Sequence, residues 1–203
     1  MQILLRILNS IRQFPRCIKA WIKHGIFIQN CKLGENVTIE ANANCFKDPL
    51  ARIQIGNNCD ICCSLIAKES GQIQIGHHTT IRGETIIGAL KSIYIGNYVI
   101  ISNNVRIYDN NNHPTSPLRR MQMCATGNFY SKDWNWSNSE CMPIIIEDNV
   151  WICERATILK GITIGKGAIV ASNSVVTKDV PQYSIVAGNP AKVVKFLEND
   201  IED

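Results

Sequence analysis

Aliphatic residues return along this chain at a spacing that neither a single helix nor a flat sheet can use. The clearest run is Ile146, Ile152, Ile158, Ile164, Val170 and Val176, a step of six residues held without a slip. Shorter runs read Ile55 and Ile61; Ile75, Ile81 and Ile87; and Ile95, Ile101 and Ile107, with Leu33 and Ile39 opening an earlier one. Segments of one design start these runs: Ile53-Gln-Ile-Gly56, Ile73-Gln-Ile-Gly76, Ile93-Tyr-Ile-Gly96, Ile144-Ile-Ile-Glu147 and Ile162-Thr-Ile-Gly165. A second register, four residues after each anchor, is mostly small or β-branched (Val37, Cys59, Thr79, Val99, Val150, Ala156, Ala168, Ser174). A six-residue period matches neither the helical nor the strand repeat. It does match three short strands per turn, each sending one large aliphatic inward and a smaller residue in near the corner. Gly, Asn and Asp after many anchors suit tight corners. A sandwich, with strands every 8 to 12 residues or about that, would not hold the ladder. The pattern predicts an all-β, parallel β-helix of hexapeptide repeats over residues 29–197, with a triangular cross-section.

The ladder stops once, between Ile107 and Ile144. The inserted loop, residues 108–143, opens with Tyr108-Asp-Asn-Asn-Asn-His-Pro-Thr-Ser-Pro117 and goes on to Phe129, Tyr130, Trp134 and Trp136. Loops longer than about 15 residues are uncommon in compact domains and tend to be functional. Residues 1–28 form a separate basic amphipathic segment: Arg6, Arg12, Arg16, Lys19 and Lys23 alternate with aliphatics, and no acid precedes Glu35. Leu4, Leu8 and Ile11 share helical spacing, as do Ile18 and Ile22, with Pro15 breaking the run between them. Such a segment docks on its own domain or on a neighbouring subunit, or lies on an anionic membrane surface. Residues after Pro190 read as a short C-terminal helix or tail, with 198–203 as its end.

Composition narrows the classes. At 203 residues, 45% apolar and 19% charged, the chain suits one globular domain. A net charge of +4 is too weak an argument for nucleic acid. No apolar stretch reaches the ~20 residues needed to span a bilayer. Nine cysteines, an odd number with no secretory signal, argue against a disulfide framework and for a reducing cytosol. Cys59-x-x-Cys62 lacks a second ligand pair at zinc spacing, so no metal is expected.

The stretch Ile146-Glu-Asp-Asn-Val-Trp-Ile-Cys153, with Lys160-Gly-Ile-Thr-Ile-Gly165, Ser174-Val-Val-Thr-Lys-Asp-Val-Pro181 and Ala187-Gly-Asn-Pro-Ala-Lys192, resembles the hexapeptide-repeat O-acetyltransferases. Galactoside and maltose acetyltransferases, and enzymes that decorate bacterial surface polysaccharides, are of this kind. The resemblance implies a left-handed coil, a homotrimer, acetyl-CoA as co-substrate and a saccharide acceptor. It also implies a cytoplasmic setting, which residues 1–28 would extend to the inner face of the membrane.

Moving acetyl from a thioester to a hydroxyl needs a base for the hydroxyl proton, and imidazole titrates in the useful range. The similar enzymes keep that base in a His-Pro pair of the inserted loop, which carries over to His113. Asp109 is a candidate to orient it. Cys124 and Cys141 are the candidates if transfer instead passes through an acyl-cysteine. The resemblance maps acetyl-CoA contacts to Trp151, Glu154, Ser172, Thr177, Lys178, Lys192 and Lys195. Glu154 replaces a small polar residue there, Ser172-Asn173 replaces Ala-Gly, and the last two lysines replace arginines, keeping charge but losing the planar fork. Trp151 would line the cleft or sit at the trimer interface. Arg82, Asp109 and Asn112 are the acceptor-binding candidates. Two other readings stay open at this point: N-acetylation of an amino sugar or serine O-acetylation, and a non-catalytic or carbonic-anhydrase-like metal-binding β-helix.

Overall fold

The computed structural model describes residues 16–198. The basic residues of the N-terminal run before Arg16, with Leu4, Leu8, Ile11 and the Pro15 break, lie outside the described residues. Three parallel sheets of six, eight and six strands form the left-handed β-helix that the repeat predicts. In the first sheet Leu33, Ile55, Ile75, Ile95, Ile146 and Ile164 stand in register. In the second, Ile39, Ile61, Ile81, Ile101, Ile152, Val170 and Val186 do so. In the third, Cys45, Leu65, Ile87, Ile107, Ile158 and Val176 follow. The six-residue ladder of the sequence therefore visits the three sheets in rotation, and each sheet contributes one inward column to a continuous core.

The corners explain the second register. Corner one joins the first sheet to the second, corner two the second to the third, and corner three the third back to the first. Polar members of the small register are satisfied by the neighbouring coil: the Thr79 hydroxyl donates to the Gly96 carbonyl at 2.9 Å and accepts from the Val99 amide at 3.2 Å. The glycine of corner one is sterically required, since a Cβ on Gly76 would lie 2.6 Å from the Gly96 carbonyl carbon. Left-handed backbone at corner one falls on Asn36, Asn58, His78, Tyr98 and Asn149. His78 and Tyr98 consequently stack, 5.0 Å apart and nearly parallel. His77 belongs to the same ladder: its Nδ1 accepts from the Asn57 amide at 3.0 Å, while its own amide donates to Asn97 Oδ1. Both corner histidines thus have structural work.

Two ends differ from simple coils. Helix α1, Arg16–Asn30, caps the first coil, driving Phe27 to complete burial while leaving Trp21 76% exposed and Ile22, Ile26 and Ile28 also outward. Among the described residues no helix is long and apolar enough to cross a membrane. At the other end, Ala191–Phe196 is a strand and not the expected helix or tail. It turns back antiparallel on Ser184–Gly188 and closes the second sheet. A parallel coil leaves an unpaired strand edge at its last turn, and this return strand satisfies it.

Candidate functional site

The inserted loop is ordered by its own hydrogen bonds and held at both roots to corner three. Asn110 and Cys141 form an antiparallel bridge, the Met142 amide donates to the Asp109 carbonyl at 2.8 Å, and the Asn111 amide to the Glu140 carbonyl at 3.1 Å. Within it, helix α2 (Pro117–Ala125) starts on Ser116, whose hydroxyl accepts from the Arg119 amide, and buries Met123. Two single turns follow, Lys132–Trp134 and Trp136–Asn138. Lys160 on the coil pairs with Glu140 at 3.7 Å, tying the loop to the turn below it.

His113 is exposed at this corner, and its imidazole stands edge-on to the Trp134 ring, centroids 5.6 Å apart. Trp134 is backed in turn by Phe129 at 4.6 Å. Two buried polar atoms beside His113 lack any partner among the described residues: Asn112 Oδ1 and Trp134 Nε1. Asn112 takes the left-handed conformation, its amide donating to Asn110 Oδ1 at 2.8 Å. Trp136 docks on the outer face of the third sheet, edge-on to Tyr108 at 5.7 Å and directly over Gly88, where a Cβ would meet its ring at 2.9 Å. Burial pushes the Tyr108 phenol up, with Arg106 opposing.

Asp109 requires a correction. It was expected to orient His113 or bind the acceptor, but it is completely buried and its carboxylate is engaged elsewhere. Its Oδ1 accepts from the Leu90 amide at 2.8 Å and from Asn110 Nδ2 at 3.0 Å, and its Oδ2 from the Lys91 amide at 2.7 Å. It anchors the loop root to the preceding coil. Cys124 is exposed on α2 and Cys141 half-buried at the loop root, and neither hydrogen-bonds the His113 ring among the described residues.

The remaining candidates divide between places. Glu154 and Ser172 lie at corner two, and Lys192 continues that row beside Ala187. Arg82 is also at corner two, paired with Asp60 at 3.2 Å, and so stands away from the loop of its own chain. That corner carries a shallow groove of about 610 Å³ bordered by Asn44, Ser64, Glu84, Asn103, Asn104 and Glu154. Thr177 and Lys178 are at corner three, with His113. Trp151 projects from the second sheet, 45% exposed, in a row with Ile100, Ile169, Ile185 and Lys195. One chain therefore does not bring the base and the corner-two groove together. Among the described residues no three metal-ligating side chains converge.

Residues 143–178 match the family "Bacterial transferase hexapeptide (six repeats)". The chain is 27% identical to the hexapeptide-repeat-containing acetyltransferase VCA0836 of Vibrio cholerae O1 biovar eltor, solved with acetyl-CoA, over 84% of this chain and 74% of that one, with a TM-score of 0.57. Sequence and fold alike resemble the hexapeptide-repeat acetyltransferases. A 2,3,4,5-tetrahydropyridine-2,6-dicarboxylate N-acetyltransferase of Staphylococcus aureus strain JH9 is 58% identical over 53 residues, 26% of this chain and 22% of that protein. The N-acyltransferase AntD of Bacillus cereus, solved with dTDP and coenzyme A, shares the fold at 22% identity and a TM-score of 0.67, over 86% of this chain and 88% of that one. The first curated relatives are matched over only 36% of their own length.

What sequence reasoning missed is the pair Trp134 and Trp136 and the glycine beneath them. The signal was present, since an aromatic cluster in an inserted loop needs a flat place to dock, and Gly88 interrupts an otherwise bulky strand. Nothing in the sequence pointed to Asp48, Lys68 or Glu69, which the coil brings beside those rings.

Proposed function

We propose that the protein is an acetyl-CoA-dependent acetyltransferase that works as a homotrimer. It moves acetyl onto a hydroxyl of a saccharide, of the kind that builds a bacterial surface glycan, with His113 as general base. The observation that carries this reading is the single break in the ladder. A coil that stacks without interruption elsewhere ejects one segment, and that segment holds an imidazole at the rim, backed by a fixed indole. Neither ring nitrogen of His113 is engaged by another described side chain, so one is available to take the hydroxyl proton as the oxygen attacks.

The C-terminal coils have the chemistry for acetyl-CoA, which supplies the activated acetyl group when bound. The outer edge of Ala191–Phe196 has no strand beyond it, and Lys192 and Lys195 add cations for phosphates. Lys178 and Thr177 stand on the side of corner three that faces the last coils. Trp151 and Ile100, 45% and 51% exposed in one row, make an apolar stripe that a neighbouring chain would cover. A trimer would set corner two of one chain against corner three of the next, and the base would then meet the groove it cannot reach in its own chain. The localisation of the assembly follows the same proposal: the cytoplasm, with the exposed face of α1 free to rest on the inner leaflet.

The test is thiol release from acetyl-CoA in the presence of a panel of sugars. His113→Ala should lower kcat by about 10²- to 10⁴-fold, and unaltered turnover would remove His113 from the mechanism. N-acetylation of an amino sugar is the second reading, favoured by the N-acetyltransferase relative. Faster turnover of an amino sugar than of its parent hexose would decide for it.

A further inference from the structure

A pocket of about 350 Å³ opens at corner three on the N-terminal side of the His113 loop. Its walls are Trp134 and Trp136 from the loop, with Asn135 between them, and Asp48, Lys68 and Glu69 from the second and third coils. Trp134 is common to the pocket and to the imidazole, touching His113 with its ring. Its buried Nε1 lacks a partner among the described residues. Resting on the reading above, we propose that this pocket is the acceptor subsite and that it takes a neutral oligosaccharide.

Two indoles and a set of charged hydrogen-bonding groups on one concave surface suit a sugar, which presents apolar C–H faces and a rim of hydroxyls. The charges argue for a neutral one. Lys68 is already paired with Asp48 at 3.4 Å, and Asp48 Oδ2 also accepts from the Glu69 amide at 2.7 Å. Glu69 has no ion pair among the described residues, so the pocket presents a net negative charge that would repel an acidic sugar. Position along the coil supports the same assignment. Corner three carries, in order, Asp48 and Lys68, then the His113 loop, then Lys160 and Lys178. Acceptor, base and acetyl donor would thus line up along one edge, with the reacting hydroxyl delivered past Trp134. The loop is seated over the pocket by Trp136 on Gly88, so the site depends on a strand position with no side chain.

The test is a tryptophan-fluorescence titration of the full chain with a neutral glucose trisaccharide, and in parallel with a trisaccharide of hexuronic acid. Two of the four tryptophans line the pocket. Saturable quenching by the neutral sugar alone is expected, weakened roughly tenfold by Trp136→Ala. Glu69→Gln, on an exposed side chain, should weaken it as well and let the acidic sugar bind. No saturation by the neutral sugar, or saturation indifferent to both substitutions, overturns the subsite. Thiol release from acetyl-CoA is measured separately. Acetyl transfer with sugar binding indifferent to Trp136→Ala leaves the function standing and sinks the subsite. Trp136-dependent binding without any transfer does the reverse.

Discussion

Removing the Asp109 carboxylate should damage the fold before it damages chemistry. Its three accepted hydrogen bonds, from the Leu90 amide at 2.8 Å, the Lys91 amide at 2.7 Å and the Asn110 side chain at 3.0 Å, hold the root of the loop to the coil beneath. In Asp109→Ala the Leu90 amide is left in a buried position without a partner, at about 1 to 3 kcal/mol. The half-buried Lys91 amide can reach water, so it loses less, roughly 1 kcal/mol. The charge-assisted bond from Asn110 adds a similar amount, for a total of about 3 to 4 kcal/mol. A whole domain is stable by about 5 to 15 kcal/mol, so this loss shows plainly in urea denaturation. Asp109→Asn keeps one acceptor and turns a donor toward the other amide, and should lose about half as much. Proteolysis within 108–143 should accelerate in both variants, because the loop root frays first. An Asp109→Ala protein within about 0.5 kcal/mol of the parent, yet slow in acetyl transfer, would return Asp109 to the role of a His113 partner.

Three further outcomes follow from the packing. Gly88→Ala places a Cβ 2.5 Å from the Tyr108 ring and 2.9 Å from Trp136; it should undock the loop, seen as a red shift of tryptophan emission, with the coil itself melting within a few degrees of the parent. Ile101→Ala deletes a fully buried rung of the second sheet and should destabilise by about 2 to 5 kcal/mol. Burial pushes the thiols of Cys63, Cys59 and Cys153 up, so the folded state holds those protons more tightly than the unfolded chain. The stability they lend is complete below the ordinary thiol pKa of about 8.5 and declines as pH rises beyond it. Cys63→Ala should flatten that alkaline slope in melts taken from pH 8 to 10 or about that, and an unchanged slope would contradict the assignment.

The core was legible because a coil repeats locally. Ile146 and Ile164 are eighteen residues apart and lie one above the other, so the period alone declares which residues share a column. The loop and His113 were legible for the opposite reason, as the one place where repetition fails. The return strand Ala191–Phe196 was not, since its partner is chosen by the unpaired edge it closes and not by any pattern of its own. Asp109 looked like a partner for His113 because it lies four residues away; burial and the Leu90 and Lys91 amides claim it instead. Glu154, Ser172, Thr177 and Lys178 follow one another at hexad spacing in sequence, but the triangular path puts the first pair and the second pair at different corners.

That division makes subunit complementation the most direct measurement. His113→Ala disables corner three, and Asn103→Trp fills the corner-two groove. Each variant alone should be nearly inactive. Unfolded together in equal amounts and refolded, they should regain roughly a quarter of the parent rate, because one site in four then joins an intact imidazole to an intact neighbouring groove. A mixture no more active than the two variants measured apart would contradict a site shared between chains.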